Sequence, residues 1–532
     1  MKQLRIPSLA EPFPLSASAW RAQSMTSAPA SGMAALALGH ATRLRGAPYR
    51  RLAMLLPLAL ATVPLRAAEP WVYTDTTLDN GLRVIVMEDH SAPLAAVQVW
   101  YHVGSKDEDP ARQGFAHMFE HMMFRGTERI GPEDHFKYLR RYGGNVNGYT
   151  FFDQTVYVQE VPCNQIDLTF WLEAERMANL KINEEYFAKE RDVVKEEYRL
   201  RVSDPPYGQV FEKATGLIFK KHPYRWTPIG NLDHLNAATS DELQKFFDTF
   251  YVPNNATLIV VGDVTTSEVV EKAKTYFGWI ARSPDPPRIT EVEPPQEEPR
   301  RLELYDKAPV AAVAIGFRAP SLRNPDRFAF RIIDYVLSGG ESGRLYKKLV
   351  KELDIAIAAQ SFLLSLEQDG IWGVGAAVKP LQKAEDVEQA INEQIALLLA
   401  EGITEKELEK ARNQVAAAAI AERQTVSGKA QRLGQAAVIE GDIANVNTEL
   451  ANVMAVSAED VKQVAARYMV ERGRLTLVVR PEVSRLGKSF DFFSKFTKKK
   501  GDSDKKDATP VEVGTERPPA KDAPEPKGGG DR

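Results

Sequence analysis

Two stretches of this chain are copies of one pattern. Ala92-Pro93-Leu94-Ala95-Ala96-Val97 matches Ala308-Pro309-Val310-Ala311-Ala312-Val313, 216 residues later. Each run leads into an alternating strand, Val97 to Tyr101 and Val313 to Phe317, and then into a helical stretch. Phe115-Ala116 matches Phe328-Ala329, and Gly126 matches Gly339, both at an offset of 213. Ile182-Asn183-Glu184 and Ile403-Thr404-Glu405 each open a helix, 221 residues apart. Loop insertions produce this kind of drift. Repeats of about 200 residues that mix strands with long helices predict an α+β fold of two homologous domains. Each domain is expected to be a mostly antiparallel sheet flanked by helices.

The punctuation between the copies predicts the rest of the layout. Residues 282–300 hold Pro284, Pro286, Pro287, Pro294, Pro295 and Pro299 among charges, the composition of an extended linker. It separates a first domain at 71–281 from a second at 301–481. Residues 482–532 are rich in Lys, Asp, Pro and Gly and predict a disordered tail. Residues 1–70 read as a targeting region. Tyr49-Arg50-Arg51 precedes the apolar run Leu52 to Pro64, and Ala67-Ala68 follows, as in a secretory signal. A periplasmic or secreted protein is expected, with an uncleaved membrane anchor as the alternative; Met33 is a possible start. The net charge of −4 gives no basic face for nucleic acid. A single cysteine, Cys163, excludes an intrachain disulfide and a cysteine-based zinc site.

The chemistry-bearing segment is His117-Met118-Phe119-Glu120-His121. On a helix, His117, Glu120, His121 and Phe124 share a face. Histidines at i and i+4 reach one metal, and the glutamate between them can take a proton from a water there. The alternative is an amphipathic helix with satisfied histidines. A third ligand must come from elsewhere. The helix Glu185 to Arg201 offers Glu190 and Glu197, two turns apart, with Val193 and Val194 near that face. A carboxylate on an inward face needs a partner; a solvated charged helix is the alternative.

The second copy separates these readings. At the same offsets Phe330 stands for His117, Ile333 for Glu120, Asp334 for His121, Ala411 for Glu190 and Ala418 for Glu197. Four of five polar residues become apolar. Positions that merely faced solvent would have stayed polar, so one copy holds a site and the other is an inert version of the fold.

The stretch Gly114 to Thr127 resembles the active-site helix of the pitrilysin family, which includes insulin-degrading enzyme and mitochondrial processing peptidase. Glu190-Arg191-Asp192-Val193-Val194-Lys195-Glu196-Glu197 resembles its distal-glutamate helix, and the 76 residues from His121 to Glu197 suit the family. The resemblance runs from Trp71 to Pro481. It implies a zinc endopeptidase acting on peptides or unfolded segments, with His117, His121 and Glu197 as zinc ligands. Glu120 would be the general base toward water and Glu190 a supporting acid. Asn147-Gly148-Tyr149-Thr150 resembles the substrate-binding strand, continuing through Thr155-Val156-Tyr157-Val158, with Asn147, Tyr149, Thr150 and Phe124 as substrate contacts. Substrate would add along its edge by backbone hydrogen bonds.

One departure bears on partners. Active family members carry an Arg and a Tyr in an inactive domain, and Val350 and Ile357 stand at the matching positions. The resemblance therefore implies a heterodimer with a homologous subunit that lacks the zinc motif, a homodimer being the alternative. A non-catalytic scaffold of the same fold and a targeting-sequence processing peptidase are the competing functions.

Overall fold

The computed structural model describes residues 70–482. The signal-like segment up to residue 69 and the expected tail from residue 483 lie outside the described residues. In the first half the elements are β1 (Thr74–Thr77), β2 (Arg83–Glu88), β3 (Leu94–Tyr101), α1 (Phe115–Met122), β4 (Asn145–Thr150), β5 (Thr155–Pro162), α2 (Glu184–Tyr198), α3 (Val210–Ile218) and β6 (Ala256–Gly262). The second half holds β7 (Arg300–Asp306), β8 (Ala312–Ala319), α4 (Asp326–Ser338), β9 (Ala356–Ser365), β10 (Gly370–Val378), α5 (Glu405–Glu422), α6 (Val426–Gly434) and β11 (Leu475–Pro481). Further helices complete both halves.

The repeat is a repeat of topology. One sheet runs β1-β2-β6-β3-β5-β4 and the other β7-β11-β8-β10-β9, the same order after β1 is set aside. Within each sheet one pairing is parallel, β2 with β6 and β7 with β11, and the others are antiparallel. Local sequence sets the helix starts. Asn183 accepts from the Tyr186 N–H at 2.8 Å to cap α2. Thr404 and Glu407 form a reciprocal cap on α5.

Strand β3 departs from the expected alternation, because Ala95 to Tyr101 are all buried. Val97, Val99 and Tyr101 face the helices of their own half. Ala96 and Trp100 pack with Val426, Ala430 and Leu433 of α6, which comes from the second half. Gln98, polar and yet buried, donates from Nε2 to the Ser427 carbonyl of α6 at 3.3 Å and accepts from Trp100 Nε1 at 2.9 Å. The first half reciprocates. Ile218 at the end of α3 and Phe219 beyond it pack with Leu475 of β11, and Tyr207 and Val210 pack against Leu477 and Val479. Each sheet thus has one face covered by its own helices and the other by a helix from the opposite half.

The expected linker is extended but held at both flanks. Glu293, 4% exposed, accepts the backbone N–H groups of Lys220, Lys221 and His222 at 2.8, 2.8 and 2.9 Å. Arg288 donates to the His102 carbonyl at 2.8 Å and to Asn255 Oδ1 at 2.6 Å. Among the described residues no helix is long and apolar enough to cross a membrane.

The exchanged helix α6 tolerates little change where it meets Trp100. A Cβ added at Gly434 would lie 2.1 Å from Trp100 Cε2, a clash between helix backbone and a fully buried indole. Gly434→Ala should therefore lower unfolding stability by about 1–3 kcal/mol, the usual range for an overpacked core. Urea unfolding checks it; an unchanged midpoint would show that α6 does not bear on the first sheet.

Candidate metal and catalytic site

Helix α1 begins at Gly114, whose φ of 99° lies in the left-handed region that glycine reaches without strain. The free N–H groups of its first turn are met from a distance. Glu108, 4% exposed, accepts from Gly114 N through Oε2 and from Ala116 N through Oε1, both at 2.9 Å. Phe115, Met118, Phe119 and Met122 anchor the helix in the first core, which leaves His117, Glu120 and His121 along one margin.

Helix α2 lies against that margin. His121 Nε2 is 3.3 Å from Glu197 Oε2, and His117 Nε2 is 3.6 Å from the same oxygen. One nitrogen from each histidine and one Glu197 oxygen all lie within 4.8 Å of one another. Glu190, 1% exposed, contacts His121 Nδ1 at 3.2 Å and ion-pairs with Arg125. Arg201 Nη1 lies 2.5 Å from the other oxygen of Glu197. Glu120 lies between this cluster and β4, since a Cβ added at Gly148 would sit 3.3 Å from Glu120 Cγ.

The electrostatics suit a cation. Burial, and then the neighbouring His121, lower the pKa of His117 and favour its neutral imidazole. Burial opposes charge on His121, but hydrogen bonds to Glu190 and Glu197 outweigh it and raise its pKa to about 10. Burial likewise opposes charge on Glu197, yet the His121 hydrogen bond and the charges around it bring its pKa down to about 2. The buried Nδ1 of His117 has no hydrogen-bond partner. Two imidazoles and an ionised carboxylate that converge in this way fit a divalent ion that accepts nitrogen and oxygen donors, with zinc as the foremost candidate.

Other expected positions differ. Val193 is exposed while Val194 is buried, because a helix turns by about 100° per residue and only one of two adjacent valines can face inward. The strand expected from Asn147 through Val158 folds back at residues 151–154 into the β4–β5 hairpin, closed by Phe151 N to the Gln154 carbonyl at 2.8 Å. Buried Asp153 pins that turn by accepting from Tyr224 Oη at 2.5 Å and from Glu367 N at 3.0 Å. Strand β4 is the edge of its sheet. On it, Asn147 and Tyr149 are partly exposed, and Tyr149 accepts from Gln431 Nε2 of α6 at 2.6 Å. Thr150 is buried, its hydroxyl 3.4 Å from the Ala116 carbonyl. Phe124, expected beside substrate, is instead core. It is 8% exposed, with its ring against Phe136 and Tyr157. It lies just past the end of α1, where the chain has already turned inward.

In the second half Phe330 and Ile333 are fully buried, and Asp334 accepts from Ser361 Oγ at 2.5 Å and from Trp372 Nε1 at 3.1 Å. Ala411 is buried at the position matching Glu190. Sequence reading missed Glu108 and Gly148. The acidic run Asp107-Glu108-Asp109 ahead of the helix-opening Gly114 was the available signal for the first; the second has none without the strand placement.

Two similar sheet-and-helix halves with a cation-fitting triad in only one of them define a class of protein. Residues 83–224 match the family model described as insulinase, peptidase family M16, and residues 237–415 match the peptidase M16 inactive domain. The chain belongs to peptidase family M16, the pitrilysin family. It is 29% identical over 413 residues to the zinc protease PqqE of Helicobacter pylori, covering 77% of this chain and 93% of that one. It is 27% identical over 407 residues to a probable mitochondrial-processing peptidase subunit beta of Arabidopsis thaliana, covering 75% and 76%. The crystal structure of a protease from Helicobacter pylori superposes with a TM-score of 0.75 at 29% identity, over 77% of this chain and all of the other.

Glu108 gives this region a pH signature. Burial raises its pKa from 4.5 to about 8, against the lowering effect of the Gly114 and Ala116 N–H groups. Between those two values the unfolded chain releases the proton and the folded chain keeps it. Stability should therefore fall as pH rises across that window. Glu108→Gln, which cannot ionise, should flatten the fall when denaturant midpoints are compared from pH 5 to 8. Parallel curves for variant and wild type would exclude this assignment.

Proposed function

We propose that this protein is a zinc-dependent endopeptidase that hydrolyses peptides or unfolded polypeptide segments. The observation that carries the reading is the convergence of His117, His121 and Glu197 beside Glu120, on two helices packed in the first core. His117 Nε2, His121 Nε2 and a Glu197 oxygen would hold the ion. Zinc bound there supplies Lewis acidity toward a peptide carbonyl and toward water. Glu190 accepts from His121 Nδ1 and so aims Nε2 of that ring at Glu197. Glu120 takes the proton from the attacking water and delivers it to the leaving amine. An extended substrate adds to the edge of β4 by backbone hydrogen bonds, and Asn147 and Tyr149 lie beside its path. Gly148 lets that strand approach Glu120 closely enough for the scissile bond to meet it. Such edge pairing suits extended or unfolded chains, because a folded protein offers few free backbone groups.

The reading extends to a partner. Val350 packs partly buried against the second core, and Ile357 is 43% exposed on β9, so neither supplies a polar group toward a substrate. A second homologous subunit would supply the Arg and Tyr in a heterodimer. The signal-like N-terminus supports a periplasmic or secreted location.

A peptide-library digest with and without a chelator, on wild type and on Glu120→Gln, tests the chemistry. Chelation should abolish cleavage. Glu120→Gln should keep its zinc and lose roughly 100- to 10,000-fold in rate, the usual contribution of a general base. Equal cleavage by the variant would refute the base, and a zinc-free, chelator-insensitive wild type would favour the non-catalytic scaffold. The partner is tested separately. Co-expression with a homologous subunit that lacks the zinc motif should raise kcat/KM at least tenfold, and full activity from the chain alone would remove the need for one.

A further inference from the structure

We propose that the second half, whose own copy of the site is inert, holds the third ligand in place, with Tyr207 and Asp306 as positioning residues for Glu197. The inference rests on the reading of Glu197 as a zinc ligand. Glu197 is the next-to-last residue of α2. Beyond it the chain makes a five-residue π-helical turn, Arg199–Ser203, and leaves for the opposite half. The matching helix of the second half behaves differently. Helix α5 runs through Ala418, the counterpart of Glu197, and ends only at Glu422. The change of pitch thus comes directly after Glu197, and the counterpart helix α5 has none at Ala418.

Helix α2 runs without interruption into this turn, the Arg199 N–H bonding back to the Glu196 and Lys195 carbonyls. Contacts made by the adjoining chain hold it. Tyr198 donates from its hydroxyl to Glu212 Oε2 on α3 at 3.0 Å. Arg201, on the π turn, holds the outer oxygen of Glu197 and leaves Oε2 facing the two histidines. The chain just beyond the turn is moored to the second half at Tyr207. Tyr207 has a φ of 65°, a left-handed conformation that a bulky side chain adopts only when its surroundings impose it. Its backbone N–H donates to Asp306 Oδ2 at 2.7 Å, and its hydroxyl donates to the Val310 carbonyl at 2.7 Å. Both acceptors belong to the second half, at the end of β7 and just beyond it. Arg300, at the start of β7, closes the strap by donating to the Leu217 carbonyl and to the Ile218 carbonyl, the latter at 3.2 Å, at the end of α3.

A ligand in the last turn of a helix moves with the chain that continues that helix. His117 and His121 sit on α1 inside the first core and do not depend on this strap. Loosening the mooring therefore weakens one of three bonds to the ion and leaves two. The signature is faster loss of metal from a protein that remains folded.

The experiment measures release of zinc from the full-length holoprotein to an excess of a chromogenic chelator. Tyr207→Phe removes the hydroxyl tie and Asp306→Ala removes the backbone tie. Each should speed release about ten- to a hundredfold, as loss of supporting contacts around a metal ligand does. The thermal midpoint of the metal-free variants should stay close to that of metal-free wild type. Arg331→Ala, which breaks the Arg331–Glu449 ion pair elsewhere in the second half, serves as the control and should leave release unchanged. Release at the wild-type rate in both strap variants overturns the inference, as does equal acceleration in the control. A wild type that takes up no zinc at all overturns instead the assignment of Glu197, so the two failures are distinguishable.

Discussion

A sheet has two faces, and in this protein the central strands of both sheets are buried on both. That constraint organises the molecule. Helices that follow their own strands can cover only one side. The other side of each sheet is closed by segments sent across from the opposite half, α6 and the residues after it one way, α3 and the residues around it the other. Neither half can complete its core without its neighbour, although each carries a full set of strands. The two-fold character of the repeat extends even to the exchange, because Val210 and Val426, the first residues of the two crossing helices, stand at the same offset as the first repeat pair.

The site inherits its rigidity from this arrangement. Helix α1 is buried on the core side by Phe115, Met118, Phe119 and Met122, and held at its start by Glu108. Strand β4 passes over Glu120 at Gly148 and is tied at Tyr149 to α6. Thus the edge that would receive a substrate is braced by a helix belonging to the other half. The ionisable groups are similarly crowded: Glu190 and Glu197 flank His121, and the proton held there metal-free occupies the place where a cation would sit.

Much of this was legible in the sequence because duplication supplied an internal control. The offsets of Ala92 and Ala308 gave the strand correspondence, and the replacement of His117, Glu120 and Glu190 by Phe330, Ile333 and Ala411 marked them as a group. What escaped was whatever depends on the partner surface. Gln98 looked like the polar face of an alternating strand, and only the crossing helix explains its burial. The reversal at residues 151–154 was hidden because the pattern of Thr155 to Val158 continues that of Asn147 to Thr150 with only a four-residue gap, and the buried Asp153 that fixes the turn has partners more than seventy residues away. Phe124 shared a helical face with the histidines by spacing alone, but the helix ends before it.

The buried Asp334 stands in the way of a second site. In the second half this carboxyl, its pKa raised by burial, is locked to Ser361 and Trp372, with Phe330 and Ile333 filling the space beside it. Phe330 and Ile333 are thus part of the core that keeps that half folded. A second site would need several simultaneous changes, each destabilising alone. No single substitution would restore in the second half the set His117, Glu120 and His121, because Phe330, Ile333 and Asp334 are all built into its packing.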